Sequence, residues 1–293
     1  MRIKQSLGSK AFDALNVVFM LLLAFVTLYP FYLIAITSIS GGKAVMAGRV
    51  TLWPIDVTLA SYKLVLRDPY ILTSYQNTLL YTGLGTAINL VMTMLCAYPL
   101  SRPDLGGKKH LMAFIVFTMF FSGGMIPSFL VVNDLNMINT IWAMVIPGAL
   151  STYNMIVTRT FFQGIPEALH ESAELDGAGE MKTLMLVYLP LSLPIMATMT
   201  LFYAVGHWNS YMSALLYLNE KRLYPIQSIL RNMVVQGQMS GATMDMGSGS
   251  DFLVVDTTIK YAVIMVATLP IIMVYPFVQK YFVKGVMVGS IKG

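Results

Sequence analysis

The residues that could do chemistry are few, and their spacing rules out most of it. His170 and Glu171 are followed by Glu174, which is one residue type short of the H-E-x-x-H pair that holds zinc on one helix face. The second ligand is an acid, and the segment lies where no apolar pocket would dry it, so no metal centre is expected. The three histidines, His110, His170 and His207, stand far apart, and no Ser-His-Asp or G-x-S-x-G arrangement accompanies them. No catalytic residue is predicted. A phosphate-binding loop needs G-x-x-x-x-G-K-[ST]. The pairs Gly42-Lys43 and Gly107-Lys108 fail it, because Thr37 and Arg102 stand where the first glycine should be. The chain is therefore expected to bind no cofactor and to split no ATP itself. Two polar islands remain. Residues 163–194 carry five acids, Glu167, Glu171, Glu174, Asp176 and Glu180, and residues 206–211 carry His207, Trp208, Asn209, Ser210 and Tyr211.

The elements that must position these islands are membrane helices. Of the 293 residues, 56% are hydrophobic and only 11% charged, against about 25% charged in a soluble domain. Runs of about 20 apolar residues, enough to cross about 30 Å of hydrocarbon, recur along the chain. They fall at roughly 12–38, 74–100, 111–132, 140–162, 190–218 and 259–282, which predicts six spans. Pro30, Ser122-Gly123-Gly124 with Pro127, and Pro147-Gly148 lie inside spans and mark expected interruptions. The first apolar run is longer than a cleavable signal's core of about 7–15 residues, and is read as a retained span. Cys96 lies inside an apolar run and is expected to be a packing residue.

Orientation follows from the short loops. Arg2, Lys4, Lys10, Arg102, Lys108 and Lys109, with Lys284 and Lys292 of the tail, all fall on one side, whereas loop 133–139 opposite holds no Lys or Arg. Basic residues in short loops stay inside, so both termini are expected in the cytoplasm. The net charge of +5 reports this orientation rather than a nucleic-acid partner. The longer segments 41–72 and 219–256 then lie outside, and the acidic island lies inside. In that island Pro166 suits a helix start. Glu167, Glu171 and Glu174 follow at helical spacing, and Ala173 and Gly177 form a small-residue strip. Asp176-Gly177-Ala178-Gly179 should end the helix with a left-handed glycine cap. Residues 180–188 read as a second short amphipathic helix, and Leu189-Pro190 as the turn back into the membrane. From these residues alone, an ordinary solvated loop remains open.

The spacing also carries a resemblance. The pattern E-A-A, three residues, G, nine residues, I-x-L-P marks membrane subunits of ABC importers. Here it reads Glu171-Ser172-Ala173, then Gly177, then Val187-Tyr188-Leu189-Pro190, with Ser172 and Val187 as mild departures. The stretches RTFFQGIP, HWNSYMSALLYL and PFVQKYFVKGVMVGSIKG resemble the maltose-type carbohydrate permease family. That resemblance implies an all-α membrane protein with six transmembrane helices and the type I ABC importer (MetI-like) permease fold. It implies a cytoplasmic N-terminus, 1–11, and one transmembrane permease domain over 12–293, multi-pass in the bacterial cytoplasmic (inner) membrane. Cytoplasmic coupling helices would span 165–189 and a cytoplasmic tail 283–293. Glu171, Ser172, Ala173, Asp176, Gly177, Leu189 and Pro190 would form the ATPase contact, with Glu171 facing a basic side chain and Glu167, Glu174 and Glu180 solvated. The implied partners are a second, homologous permease, two ATP-binding cassette subunits that hold ATP–Mg, and an extracytoplasmic solute-binding protein. Gln236, Gln238, Met239 and Ser240, in loop 219–256, would contact the binding protein. FSGGMIP and NTIWAMVIPGA look like the branch that imports complex or acidic oligosaccharides, such as alginate.

The second island fits a sugar path: aromatic rings for a pyranose face, and amides and hydroxyls for its hydroxyl groups. Trp208, Asn209 and Tyr211 are the main candidates, with Tyr153 and Asn154 in the fourth span and Asn77 and Asn89 in the second as weaker ones. The same residue types also serve helix–helix hydrogen bonding or an interfacial aromatic belt, and both readings stand. Arg159 is read as a structural, snorkelling residue. A stand-alone secondary transporter is the alternative class. It needs ionisable groups within the spans for coupling ions, and His207 is almost the only one.

Overall fold

The computed structural model describes residues 7–235 and 258–273, and all its regular elements there are helical. The chain divides into two compact units, 1–69 with 232–269, and 70–231 with 270–293.

The first unit opens with α1 (Leu7–Ser38), a 32-residue apolar helix that carries Pro30 without breaking. Its most apolar 18-residue window is 0% buried among the described residues. Two short helices follow, α2 (Gly42–Met46) and α3 (Ala60–Arg67). The loop between them folds back on the end of α1. Gly41 N donates to the Ile55 carbonyl at 2.9 Å, Thr58 N to Ile39 at 2.9 Å, and Ser40 Oγ accepts from Ile55 N at 3.3 Å. Tyr32 Oη also donates to the Leu52 carbonyl. This segment is thus a small folded structure. Ser61 Oγ meets Thr258 Oγ1 at 2.8 Å and ties α3 to the start of the last described helix, α15 (Thr258–Met273).

The second unit is built around α4 (Pro69–Ser101), 33 residues long. Lys108 Nζ folds back to the carbonyls of Ser101 (3.3 Å) and Arg102 (2.7 Å), so a cation covers the negative end of α4. Next come α5 (Lys108–Phe120) and α6 (Met125–Asp134), bent 110° apart. Gly124, at φ 87°, supplies a conformation that L side chains rarely adopt. The stretch expected as one fourth span is two pieces, α7 (Ile141–Val145) and α8 (Thr152–Phe162), parted at Pro147-Gly148. Proline has no N–H for the helical ladder and its ring crowds the preceding turn, which explains the break.

The acidic island forms α9 (Glu167–Leu175) and α10 (Glu180–Thr183). A π turn (Leu184–Tyr188), α11 (Leu189–Leu191) and α12 (Leu193–Trp208) continue it. Leu189-Pro190 is therefore not the turn that the sequence suggested. The helix runs through it, and the 85° bend lies at Ser192. In the π turn Leu189 N donates to the Leu184 carbonyl, five residues back, and this widening accommodates Pro190 one residue later. The fifth span also breaks, at Asn209-Ser210, before α13 (Tyr211–Tyr217). A 3₁₀ turn (Lys221–Leu223) and α14 (Ile226–Val235) follow.

Among the described residues, then, α1 and α4 are each long and apolar enough to cross a membrane, and the pairs α5–α6 and α10–α12 qualify as bent spans. α15 is a shorter apolar helix.

Candidate functional site

Two sites draw on the polar islands. The first is the outer face of α9. This helix ends in a Schellman turn: Ala178 N donates to the Ala173 carbonyl and Gly177 N to Glu174, both at 2.9 Å, with Gly177 at φ 74°. The left-handed cap expected of Gly177 is present. On the inner face His170 is only 4% exposed, and its ring packs edge-on against Tyr188. On the outer face Glu171, Ser172, Asp176 and Gly177 are exposed, and Leu175 is 89% exposed. Ala173 and Leu189 are half-buried, and Pro190 is exposed.

An aromatic cluster lies behind α9. Tyr98, Phe162 and Tyr188 meet pairwise in T-shaped contacts with centroids 4.9–6.5 Å apart. Such pairs are worth about 0.5–1.5 kcal/mol each beyond the area they bury. Tyr98 Oη donates to Glu180 Oε2 at 2.6 Å, and His170 Nε2 lies 3.7 Å from Glu180 Oε1. Glu180 was expected to be solvated. It is largely exposed, yet its carboxylate holds α10 to α4 through Tyr98 and lies beside His170 of α9. Arg102 Nη1 donates to Tyr188 Oη at 3.4 Å, and Arg159 Nε to the Leu100 carbonyl at 2.8 Å. Arg159 therefore ties α8 to the end of α4, a structural role. The product is a supported helix showing solvent an acid, a hydroxyl and a bare leucine.

The second site is a cavity of about 480 Å³ onto which two helix breaks open. Pro147 and Gly148 line it from one break, Asn209 and Ser210 from the other, with Asn89 and His207 between. Irregular backbone at membrane depth survives only where protein or a wet cavity satisfies it. Here Asn89, fully buried, does part of that work. Its Nδ2 donates to the Gly148 carbonyl at 2.5 Å, and its Oδ1 lies 2.6 Å from His207 Nε2. Since Oδ1 can only accept, His207 carries its proton on Nε2. The imidazole sits so close to α4 that a Cβ at Gly85 would lie 2.4 Å from its ring. Tyr203 Oη contacts Thr93 Oγ1 at 2.7 Å and receives Ser151 N at 3.4 Å.

Of the residues expected along a substrate path, Asn154 and Asn209 line this cavity, joined by Asn89. Trp208 does not line it: it is 7% exposed, and its Nε1 is buried with no acceptor among the described residues. Tyr153 is exposed, and Tyr211 holds the Arg231 guanidinium 5.9 Å above its ring. Phe202 and Tyr203 supply the aromatic lining instead. Asn77 is structural, its Nδ2 donating to the carbonyls of Arg222 (2.7 Å) and Tyr224 (3.3 Å). Gln236, Gln238, Met239 and Ser240, and the tail 283–293, lie outside the described residues.

Comparison with known proteins bears on both sites. The family described as "Binding-protein-dependent transport system inner membrane component" matches residues 81–288. The polygalacturonan/rhamnogalacturonan transport system permease protein YtcP of Bacillus subtilis (strain 168) is 43% identical, across 97% of this chain and 99% of that protein. Protein LplC of the same organism is 38% identical, across 98% and 96%. Among solved structures, a chain of a bacterial ABC transporter involved in the import of the acidic polysaccharide alginate aligns with a TM-score of 0.85. It is 35% identical, with 96% of this chain and 99% of that one covered.

Proposed function

The chain belongs to the family of binding-protein-dependent transport system inner membrane components, and from that premise we propose that it forms one half of the membrane pathway of an ATP-driven importer of acidic oligosaccharides. ATP is hydrolysed on partner subunits. The single observation that carries the coupling half of this reading is the outer face of α9. An exposed Glu171 and a bare Leu175 sit on a helix that is braced from behind. A solvated loop has no need of such a brace, and an exposed carboxylate beside a bare leucine on a supported helix suits contact with a partner's side chains.

The complete assembly pairs this subunit with a second permease, two ATP-binding cassette subunits and an extracytoplasmic binding protein. The permease domain, 12–293, crosses the bacterial cytoplasmic membrane six times with both termini inside. Glu171, Ser172, Ala173, Asp176 and Gly177 face the ATPase, with Leu189 and Pro190 closing the lever behind them. Closure of the ATPases pushes on α9. The push passes through Glu180 and Tyr98 into α4 and along α10–α11 into α12. Both α4 and α12 line the cavity at Asn89 and His207, so motion at one end reshapes the other.

Oligosaccharide is the substrate class that the named relatives support, and polygalacturonan and alginate are both polymers of carboxylated sugars. The cavity's amides and hydroxyls, from Asn154, Asn209, Ser210 and Ser213, suit hydrogen bonding to such a chain as it passes. Loop 219–256, with Gln236, Gln238, Met239 and Ser240, is assigned to the binding protein. The experiment is reconstitution of the chain with its genomic neighbours in vesicles. Uptake of labelled oligogalacturonate that requires both ATP and the binding protein is the expected result. Uptake that proceeds without an ATPase subunit would overturn the reading.

A further inference from the structure

The proposed function makes no use of a cavity of about 610 Å³ at the start of α5, lined by Lys108, Lys109, His110 and Arg159 and, among the described residues, by no acid. The peptide N–H groups at the head of α5 add to its positive field, because the N-cap is Gly107 and no side chain caps the helix. We propose that this cavity seats the phosphate headgroup of an anionic phospholipid of the cytoplasmic leaflet, whose acyl chain lies along the outer face of α5. The proposal requires only that α5 stands in the membrane with its basic end at the cytoplasmic surface.

Three observations converge on a lipid. The first is charge. Lys108 keeps its position through the Ser101 and Arg102 carbonyls, and Arg159 through Leu100, so two cations are pre-placed rather than floppy. Basic pockets between membrane helices at the cytoplasmic side bind anionic headgroups. The second is the surface below the cavity. Met112 and Ile115 turn inward onto the Tyr98–Phe162–Tyr188 cluster. From His110, Phe114 and Phe117 descend the opposite face at helical spacing, exposed, and Phe121, just past the helix end, stacks on Phe117 at 4.3 Å. The third is length. From His110 to Phe120 the helix rises about 15 Å at about 1.5 Å per residue, which is one leaflet's share of a hydrocarbon core about 30 Å thick. The stripe ends where the chain breaks at Ser122-Gly123-Gly124 and turns by 110°.

The test uses the assembled importer. Native mass spectrometry after exchange into nanodiscs of phosphatidylglycerol or phosphatidylcholine reads the lipid retained. A photo-crosslinking residue at Phe117 reads what covers the stripe. The expected result is retention of phosphatidylglycerol over phosphatidylcholine, and a Phe117 adduct with the mass of that lipid. Lys109→Gln, at an exposed position, should lower the preference roughly fivefold, the effect of one basic residue near an anionic surface. Lys63→Gln, at an exposed position of α3, should leave it unchanged. Crosslinks from Phe117 to the partner permease would overturn the proposal. So would equal retention of the two lipids, or displacement of the lipid by millimolar glycerol phosphate, which would make this a site for soluble anions. The readout is lipid retention, so its failure is distinct from a failure of transport.

Discussion

The hydroxyl of Tyr98 donates to the carboxylate of Glu180 at 2.6 Å, and so the last turns of α4 hold the start of α10. The other carboxylate oxygen faces His170 of α9 at 3.7 Å. One acid thus sits where three helices meet.

Removing that bond should loosen the lever without unfolding the subunit. A hydrogen bond to a charged group contributes about 1.5–3 kcal/mol when buried. Glu180 is 66% exposed, so solvent competes, and about 1 kcal/mol is the reasonable figure. Tyr98→Phe should therefore raise hydrogen exchange of the α9–α10 amides about fivefold and reduce ATPase stimulation by the loaded binding protein. Exchange at the wild-type rate would show that the bond carries no load.

Gly177 separates backbone strain from surface contact. Its φ of 74° is costly for most side chains, by about 1–2 kcal/mol, and least so for Asn or Asp. A Cβ there meets nothing within 4 Å. Gly177→Asn should keep the cap and tolerate assembly. Gly177→Asp should reach the membrane in normal amount yet hydrolyse ATP without transport, because its charge lands on the coupling face. Uptake measured beside an immunoblot of the membrane fraction decides this, and normal uptake in Gly177→Asp removes the coupling role from this position.

Gly85→Ala should displace His207 and break its bond to Asn89, since the new methyl would fall 2.4 Å from the ring. Overpacking of this kind costs about 1–3 kcal/mol. A thermal unfolding scan in detergent should show a lowered midpoint, and transport should fall with it. An unchanged midpoint would mean that the imidazole swings away freely.

Ser213→Asp tests the charge of the cargo. Ser213 lines the cavity between the two helix breaks. A carboxylate there should repel a carboxylated sugar, and uptake of labelled oligogalacturonate should fall at least tenfold, while binding-protein affinity, measured separately, stays the same. Equal uptake by the variant would place the sugar's route elsewhere.

Much of this was legible in the residues. The interruptions at Gly124, Pro147-Gly148 and Gly177 were readable because glycine and proline act on the backbone they occupy. The motif around Glu171 was readable because its spacing lies within one local segment. What escaped was long-range or directional. Nothing near Glu180 announces that its partner is Tyr98. Within 206–211 the composition suggested a polar path, but successive helical residues point about 100° apart. Only His207, Asn209 and Ser210, with Gly206, therefore line the cavity, and Trp208 turns away. Pro190 misled because the π turn before it lets the helix pass through.

The contact between Gly85 and His207 has a consequence for inheritance. Any side chain at position 85 collides with the imidazole, and any smaller residue at position 207 leaves a gap and an unanswered Asn89. Neither position can drift alone. Among descendants of this gene the pair should change together or not at all, although the two codons lie in distant parts of the reading frame. A glycine at 85 should accompany histidine at 207 in every lineage that keeps either.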